Sequence, residues 1–472
     1  MIPEAFPKLE NSAVIRFFRA FFRSVYYPAL IAVVMACSAV FALELYAFYF
    51  FLLMGALTVL FGEDTLGIVP LACCGYMLIA SENNPAMNSS SVFSNPSFVL
   101  QLGFVIVVAV LLLVARLILC LIQNPKRGYP RLLIGFFALG VAYMLGGILS
   151  PYYQGNTVLF GFVQIVSLAA LYFYFRYTVE WESVPKWYLP ATFLMIGFSL
   201  LFQVGKMYTL PNVFDENGVV HREALYVGWG VYNNIGCILA MCIPAASYFS
   251  VKHRHGWLFT IFGSLLFLGV CFTQSRGAML FGAITYAACA VWVLIASKGW
   301  FRWKNLIVYG AMALALLVSL LIFRAQVKEV FASLIEANFD SSGRVPLYQR
   351  CWNAFLGHPW FGVGFYATPG FAISGSSSFI PPRAHNTYLQ LLASGGMFAL
   401  LMYGVHRVET LVLIFKRPSQ EKMFVFFVIA TLLLTSFVDC NFFNIGPGIL
   451  YGILLAFAEG EDRNIKRAKL PQ

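Results

Sequence analysis

The chain has 472 residues, of which 60% are hydrophobic, 17% aromatic and only 11% charged. That excludes an ordinary water-soluble globule and predicts an all-α, polytopic integral membrane protein. A formal net charge of +11 on one soluble face would suggest a polyanion partner. Here the basic residues lie in short loops between apolar runs, so topology accounts for them and no nucleic acid is expected.

In chain order, Lys8, Arg16, Arg19 and Arg23 come first, with aromatics between them, and read as a basic amphipathic helix on the cytoplasmic membrane surface. Apolar runs follow near 25–42, 45–62, 66–81 and 98–122; the third is followed by a polar outer loop ending in NNPAMNSSSVFSNPS, the fourth by the basic turn QNPKRGYPR. Further runs fall near 132–149, 157–175, 188–205, 227–249, 257–273, 278–296 and 306–323, and after a long loop near 387–405, 423–439 and 446–459. Runs of this length suit a bilayer, which predicts about fourteen transmembrane helices. The N-terminus lacks the layout of a cleavable signal, so its first apolar run is the first span. Most of the ten cysteines fall inside apolar runs, and none forms a CxxC pair or a metal-ligand spacing, so neither a disulfide framework nor a zinc site is expected.

Basic residues orient the helices. With the N-terminus inside, Lys126, Arg127, Arg131, Lys252, Arg254, Lys298, Arg302, Lys304, Lys416, Arg417, Lys422 and the tail cluster Arg463, Lys466, Arg467 and Lys469 all fall on one side, the cytoplasm. Both termini are then cytoplasmic. The exceptions on the outer side are Lys206, Arg222, Arg276, Arg324, Lys328, Arg344, Arg350 and Arg383. Exceptions to the charge rule are candidates for function. The chain divides into a transmembrane bundle over 1–323, an extracytoplasmic loop with amphipathic helices over 324–386, and C-terminal transmembrane helices with a basic tail over 387–472.

The long loop carries its own pattern, and loops of such length are usually functional. VKEVFASLIEANF and RVPLYQRCWNAFLGHPWFGVGF each read as an amphipathic helix, after which Gly362, Gly364 and Gly370 are expected to release the chain. The loop ends at PPRAHNTYLQLLASGGMFALLMY, where Pro381 and Pro382 block helix, Asn386 is an N-cap and the next helix enters lipid. His385 therefore stands at a helix N-terminus, where unpaired N–H groups and the dipole favour an anion and a neutral, proton-accepting ring. Gly395 and Gly396 are expected only to let neighbouring helices approach.

SSGRVPLYQRCWNAFLGHPWFGVGF, followed by AHNTYLQLLASGGMFALL, resembles the signature region of the O-antigen ligase and polymerase family of bacterial membrane glycosyltransferases; upstream, CFTQSRGAMLFGAITY resembles its Ser-Arg-Gly element. The resemblance runs from about Thr273 to Tyr403. It implies transfer of an undecaprenyl-diphosphate-linked glycan to an acceptor hydroxyl on the outer face of the bacterial cytoplasmic membrane, without metal, cofactor or nucleotide sugar. The acceptor is either another glycan chain (polymerase, as for O-antigen or capsule) or a lipid A core (ligase). It also implies a histidine base at His385 and diphosphate-holding arginines at Arg276 and Arg344, with looser matches at Arg222, ahead of Asn234, and at Asp439. Arg383 and Asn386, flanking His385, complete the candidate substrate-binding set.

These residue types suit the chemistry. A departing diphosphate concentrates negative charge, which arginine's fork matches with paired hydrogen bonds, and the attacking hydroxyl must lose a proton to a base. The outer face offers no DxD pair of the kind that holds a catalytic metal. Plainer roles are an interfacial cap for His385 and Asp439, a snorkelling Arg276 and a solvated Arg344. Two rival functions remain open. A transporter or flippase for the same lipids should show ionisable groups inside its spans, where only Arg116 is evident. A peptidoglycan-type polymerase should depend on Asp439 rather than His385.

Overall fold

A computed structural model describes residues 12–41, 43–75, 96–123, 128–151, 153, 155–209, 213–214, 216, 220–221, 224–227, 230–322, 324, 344–365 and 384–468. The helices are α1 (Ala13–Phe22), α2 (Tyr26–Phe41), α3 (Glu44–Phe61), α4 (Ile68–Gly75), α5 (Pro96–Gln123), α6 (Leu133–Leu145), α7 (Gly155–Thr178), α8 (Tyr188–Met207), α9 (Tyr232–Lys252), α10 (Gly256–Phe272), α11 (Arg276–Ala296), α12 (Gly299–Ile322), α13 (Arg344–Gly357), α14 (Thr387–Phe415), α15 (Gln420–Thr435) and α16 (Ile445–Ala468). Among the described residues the only strands are Tyr226–Val227 and Gly230–Val231, a two-residue antiparallel pair.

Each apolar run in the sequence falls on one of these helices, but length thins the count of crossings. Among the described residues seven helices are long and apolar enough to cross a membrane, or eight if α1 and α2, bent by 73°, count as one broken span. Fewer than the expected fourteen are thus supported by helix length among the described residues, where runs such as Leu133–Leu145 and Gly256–Phe272 make shorter helices. The predicted helix at VKEVFASLIEANF lies outside the described residues. The one at RVPLYQRCWNAFLG forms α13 and stops at Gly357.

At the centre stands α9, buried along nearly its whole length from Ile235 to Ser250, against α8, α10, α11 and α15. Close approach there requires small side chains: Gly197 of α8 faces Leu266 and Cys242, and Gly236 of α9 faces Ala278 and Thr273. In lipid, where helices gain little from hydrophobic burial against one another, such close packing supplies much of the cohesion.

One end of the bundle holds a network of buried charge. Fully buried Asp462 accepts Lys422 at 2.8 Å, Arg417 at 3.1 Å and Arg131 at 2.5 Å. Nearby, Glu459 pairs with Arg176 at 2.6 Å, Glu461 with Lys186 at 3.0 Å and Glu421 with Lys252 at 3.3 Å. Most of these cations belong to the set that the charge rule gathers on one side. Buried Arg116 donates to the backbone carbonyl of Glu63 in the α3–α4 turn.

The most consequential departure from a regular bundle is in α14. Gly396 has φ 63° and ψ −160°, which breaks the helix into two arms. Tyr388 and Tyr403 would stand about 22 Å apart along a straight helix, yet their ring centroids are 6.1 Å apart. The break is stapled by the segment expected to be a loose tether. Val363 and Gly364 N–H donate to the Ala393 and Ser394 carbonyls, and Met397 and Phe398 N–H donate to the Pro359 and Trp360 carbonyls, all at 2.8–3.0 Å. Gly362 and Gly364, with φ of 64° and 103°, are thus docking residues, and Gly396 is a helix break rather than a packing notch. Gly370 lies outside the described residues.

Candidate functional site

At the end opposite Asp462, three chain segments converge: the start of α11, the start of α13 and the turn after α15 against the start of α14. Ser275 caps α11, accepting from Ala278 N–H, and donates its hydroxyl to Asn233 Oδ1 of α9 at 2.6 Å. Arg276 is the first residue of α11 and its side chain is exposed. Gly277 next to it packs on Val438, in the turn after α15. Arg344, the first residue of α13, donates to the carbonyl of that same Val438.

His385 is held from several sides. Asn386 caps α14 by accepting from Tyr388 and Leu389 N–H at 3.0 Å, while its Nδ2 donates to Phe437 carbonyl at 2.9 Å. Thr387 N–H donates to Ser436 carbonyl, and Tyr348 of α13 donates to the His385 carbonyl at 3.3 Å. His385 itself has φ 48°, in the left-handed region that L-residues enter at a cost. Gln274, just ahead of the Ser275 cap, has φ 57°. The non-glycine residues with positive φ among the described ones are these two, and both border the site.

His385 Nδ1 lies 3.2 Å from Asp439 Oδ1. The imidazole is 39% exposed and the carboxylate 9%, so one partner is reachable and the other is fixed. Asp439 Oδ1 also accepts from Cys440 N–H at 2.7 Å. Burial alone would raise the Asp439 carboxyl, but the hydrogen bond and charge of His385, the Cys440 N–H and the Arg344 charge hold it below the ordinary carboxylate range. An ionised carboxylate can only accept, so Nδ1 must carry the proton and a neutral ring presents Nε2 as its acceptor. A small cleft beside this pair is lined by Asn233, Ser275, Gly277, Arg344, Asp439 and Asn441.

The structure thus brings His385, Asp439, Arg344 and the Ser275–Gly277 turn together from segments far apart in sequence. Arg222 and Arg383 lie outside the described residues. Asn386 is engaged at both ends of its amide by backbone, which accounts for it as a cap. Asp439, expected mainly to cap, contacts His385 instead.

Two features escaped sequence reading. The Asn233–Ser275 hydrogen bond joins α9 to α11, and only Asn234 had stood out; Asn234 itself accepts from Asn444 Nδ2 at 2.7 Å. Arg407, two residues past the expected end of its span, lies inside α14. Its guanidinium sits 4.5–4.9 Å from the rings of Tyr403, Phe442 and Tyr451. All three of its nitrogens are buried without a hydrogen-bond partner. Phe442 is three residues beyond Asp439, so this cation–π cage underlies the site.

The fold and this end of it define a helical membrane protein with an accessible histidine, paired with a buried carboxylate beside Arg344. Residues 261–404 match the family model described as O-Antigen ligase. No curated protein matches the chain. The matched segment contains Ser275, Arg276, Arg344 and His385 but ends before Asp439 and Arg407.

Proposed function

We propose that the protein transfers a glycan from an undecaprenyl-diphosphate-type carrier to an acceptor hydroxyl, at the His385 end of the bundle on the extracytoplasmic face of a bacterial cytoplasmic membrane. The match of residues 261–404 to the O-Antigen ligase model supports glycan transfer at a membrane. The observation that carries the reading is the 3.2 Å contact between His385 Nδ1 and Asp439 Oδ1 beside Arg344.

In the proposed step, His385 Nε2 accepts the proton of the acceptor hydroxyl as its oxygen attacks the anomeric carbon. The bond from that carbon to the diphosphate oxygen breaks, and the lipid diphosphate leaves with the electron pair. One displacement inverts the anomeric centre. Arg344 and Arg276 supply fixed positive charge where the leaving group gains negative charge. Asp439 holds the ring in one tautomer and balances the imidazolium formed. No resident metal enters this scheme. Acceptors of both kinds, a growing glycan and a lipid A core, present the same chemistry.

The test is a His385→Ala variant supplied with purified lipid-linked donor and acceptor. Transfer should fall by about 10²–10⁴-fold, the usual worth of a general base; an unchanged rate rejects the assignment. A second reading, passage of the lipid-linked glycan across the membrane, draws on Arg407, an ionisable group buried within a span. Vesicles containing wild-type protein and labelled donor separate the two readings: transport requires donor movement without acceptor, transfer does not.

A further inference from the structure

An unassigned groove lies at the other end of the molecule from His385. Ala29 and Val33 of α2, Leu194 and Phe198 of α8, and Leu258 and Phe262 of α10 line about 440 Å³ of space. That falls within the roughly 300–1,000 Å³ of ligand sites, and the wall is hydrocarbon almost throughout. Phe259 also lines it. The ring of Phe259 lies 5.4 Å from that of His253, which is itself 5.8 Å from His255.

The turn Lys252–His255 therefore lies beside the groove, at its Phe259 side. All four of its side chains are exposed. Lys252 is paired with Glu421 at 3.3 Å, whereas Arg254 has no ion-pair partner among the described residues. The same turn opens α10, a helix of 17 residues, whose dipole favours an anion there, while Gly256 and Leu258 N–H are already taken by the His253 and His255 carbonyls. A hydrocarbon slot thus lies beside a turn that attracts negative charge.

We infer that this groove seats an acyl chain of an anionic glycerophospholipid, with the phosphate at the Lys252–His255 turn and Arg254 as its principal cation. A guanidinium suits that task because it makes paired hydrogen bonds to phosphate oxygens. The turn is about 25 Å, the length of α10, from the Ser275–Arg276 end. A headgroup there cannot share the His385 site, and the inference does not depend on transfer chemistry.

The test uses the full chain in nanodiscs of phosphatidylcholine doped with phosphatidylglycerol, followed by mild release and native mass spectrometry of retained lipid. Wild-type protein should retain phosphatidylglycerol above its share of the bilayer. Arg254→Glu should lower that enrichment at least about fivefold, the worth of one cation near a membrane surface. Val33→Trp, which fills the slot from α2, should lower retention of both lipids. Equal retention of the two lipids by wild type, or undiminished enrichment in Arg254→Glu, overturns the inference. So does preferential retention of undecaprenyl phosphate from a mixture with phosphatidylglycerol.

Discussion

Gly277 rests so closely on Val438 that a Cβ at position 277 would run into the valine side chain. This contact fixes the start of α11, and with it Arg276, against the turn that carries Asp439. The Ser-Arg-Gly element thus has a physical reason for its glycine. Gly277→Ala should lower transfer and cost about 1–3 kcal/mol, as overpacking does. Pairing it with Val438→Ala should restore much of both, read by activity and by thermal unfolding in detergent; a double variant no better than Gly277→Ala refutes the contact's role.

Asp439→Asn should keep the turn but lose the acceptor that fixes His385. An amide can donate to Nδ1 and favour the wrong tautomer, so transfer should fall by about 10²-fold or more. Stability carries a pH signature. A carboxyl depressed in the folded state stabilises the fold above its unfolded value, roughly pH 3.9, and that contribution is lost as pH falls through the lower folded value. Wild type should therefore exceed Asp439→Asn in unfolding temperature near about pH 7, and the gap should close as pH falls through the depressed folded value. A gap independent of pH would count against the pairing.

At the break in α14, Gly396 has φ 63°, and a Cβ there would collide with the Trp360 carbonyl. Gly396→Ala should destabilise by more than the roughly 1–3 kcal/mol of a strained backbone alone, because the clash adds to it. Gly404→Ala, eight positions along the same helix with open space around it, is the control and should be nearly neutral. Equal melting temperatures for the two variants would show that the break is not required.

Asp462 gathers three cations in a fully buried position. Asp462→Asn removes the charge that balances them, and stranding a buried cation costs about 3–5 kcal/mol. Adding Lys422→Met should recover part of that loss, since it withdraws the most buried of the three. Unfolding of the single and double variants in the same detergent measures it.

How much of this was legible depended on whether the signal was local. Asn386 is readable as a cap because the helix follows at once, and it caps as expected; Ser275, ahead of α11, turns out to cap as well. His385 stood out at the same junction as Asn386. The broken course of α14 was not readable, because ASGGMFALL keeps a helical, apolar pattern and the break is held by carbonyls from Pro359 and Trp360, more than thirty positions upstream. Helix length is as hard to read locally: an apolar run marks where lipid or core is met, not whether the helix crosses. Asp439 looked like a cap because its partner lies 54 positions away in the chain. Arg407 was missed because its neutral surroundings are aromatic rings from three elements rather than a carboxylate nearby in sequence.

The clasp of Val363 and Gly364 on the broken helix has a further consequence. Phe365 is buried at one edge of residues 366–383, and at the other Ala384 is buried with its N–H on Gln390 Oε1 at 2.9 Å. Each border thus carries its own anchor, Phe365 against the rings of Tyr143 and Phe443 and Ala384 against Gln390, so the imidazole keeps its place without relying on the other border.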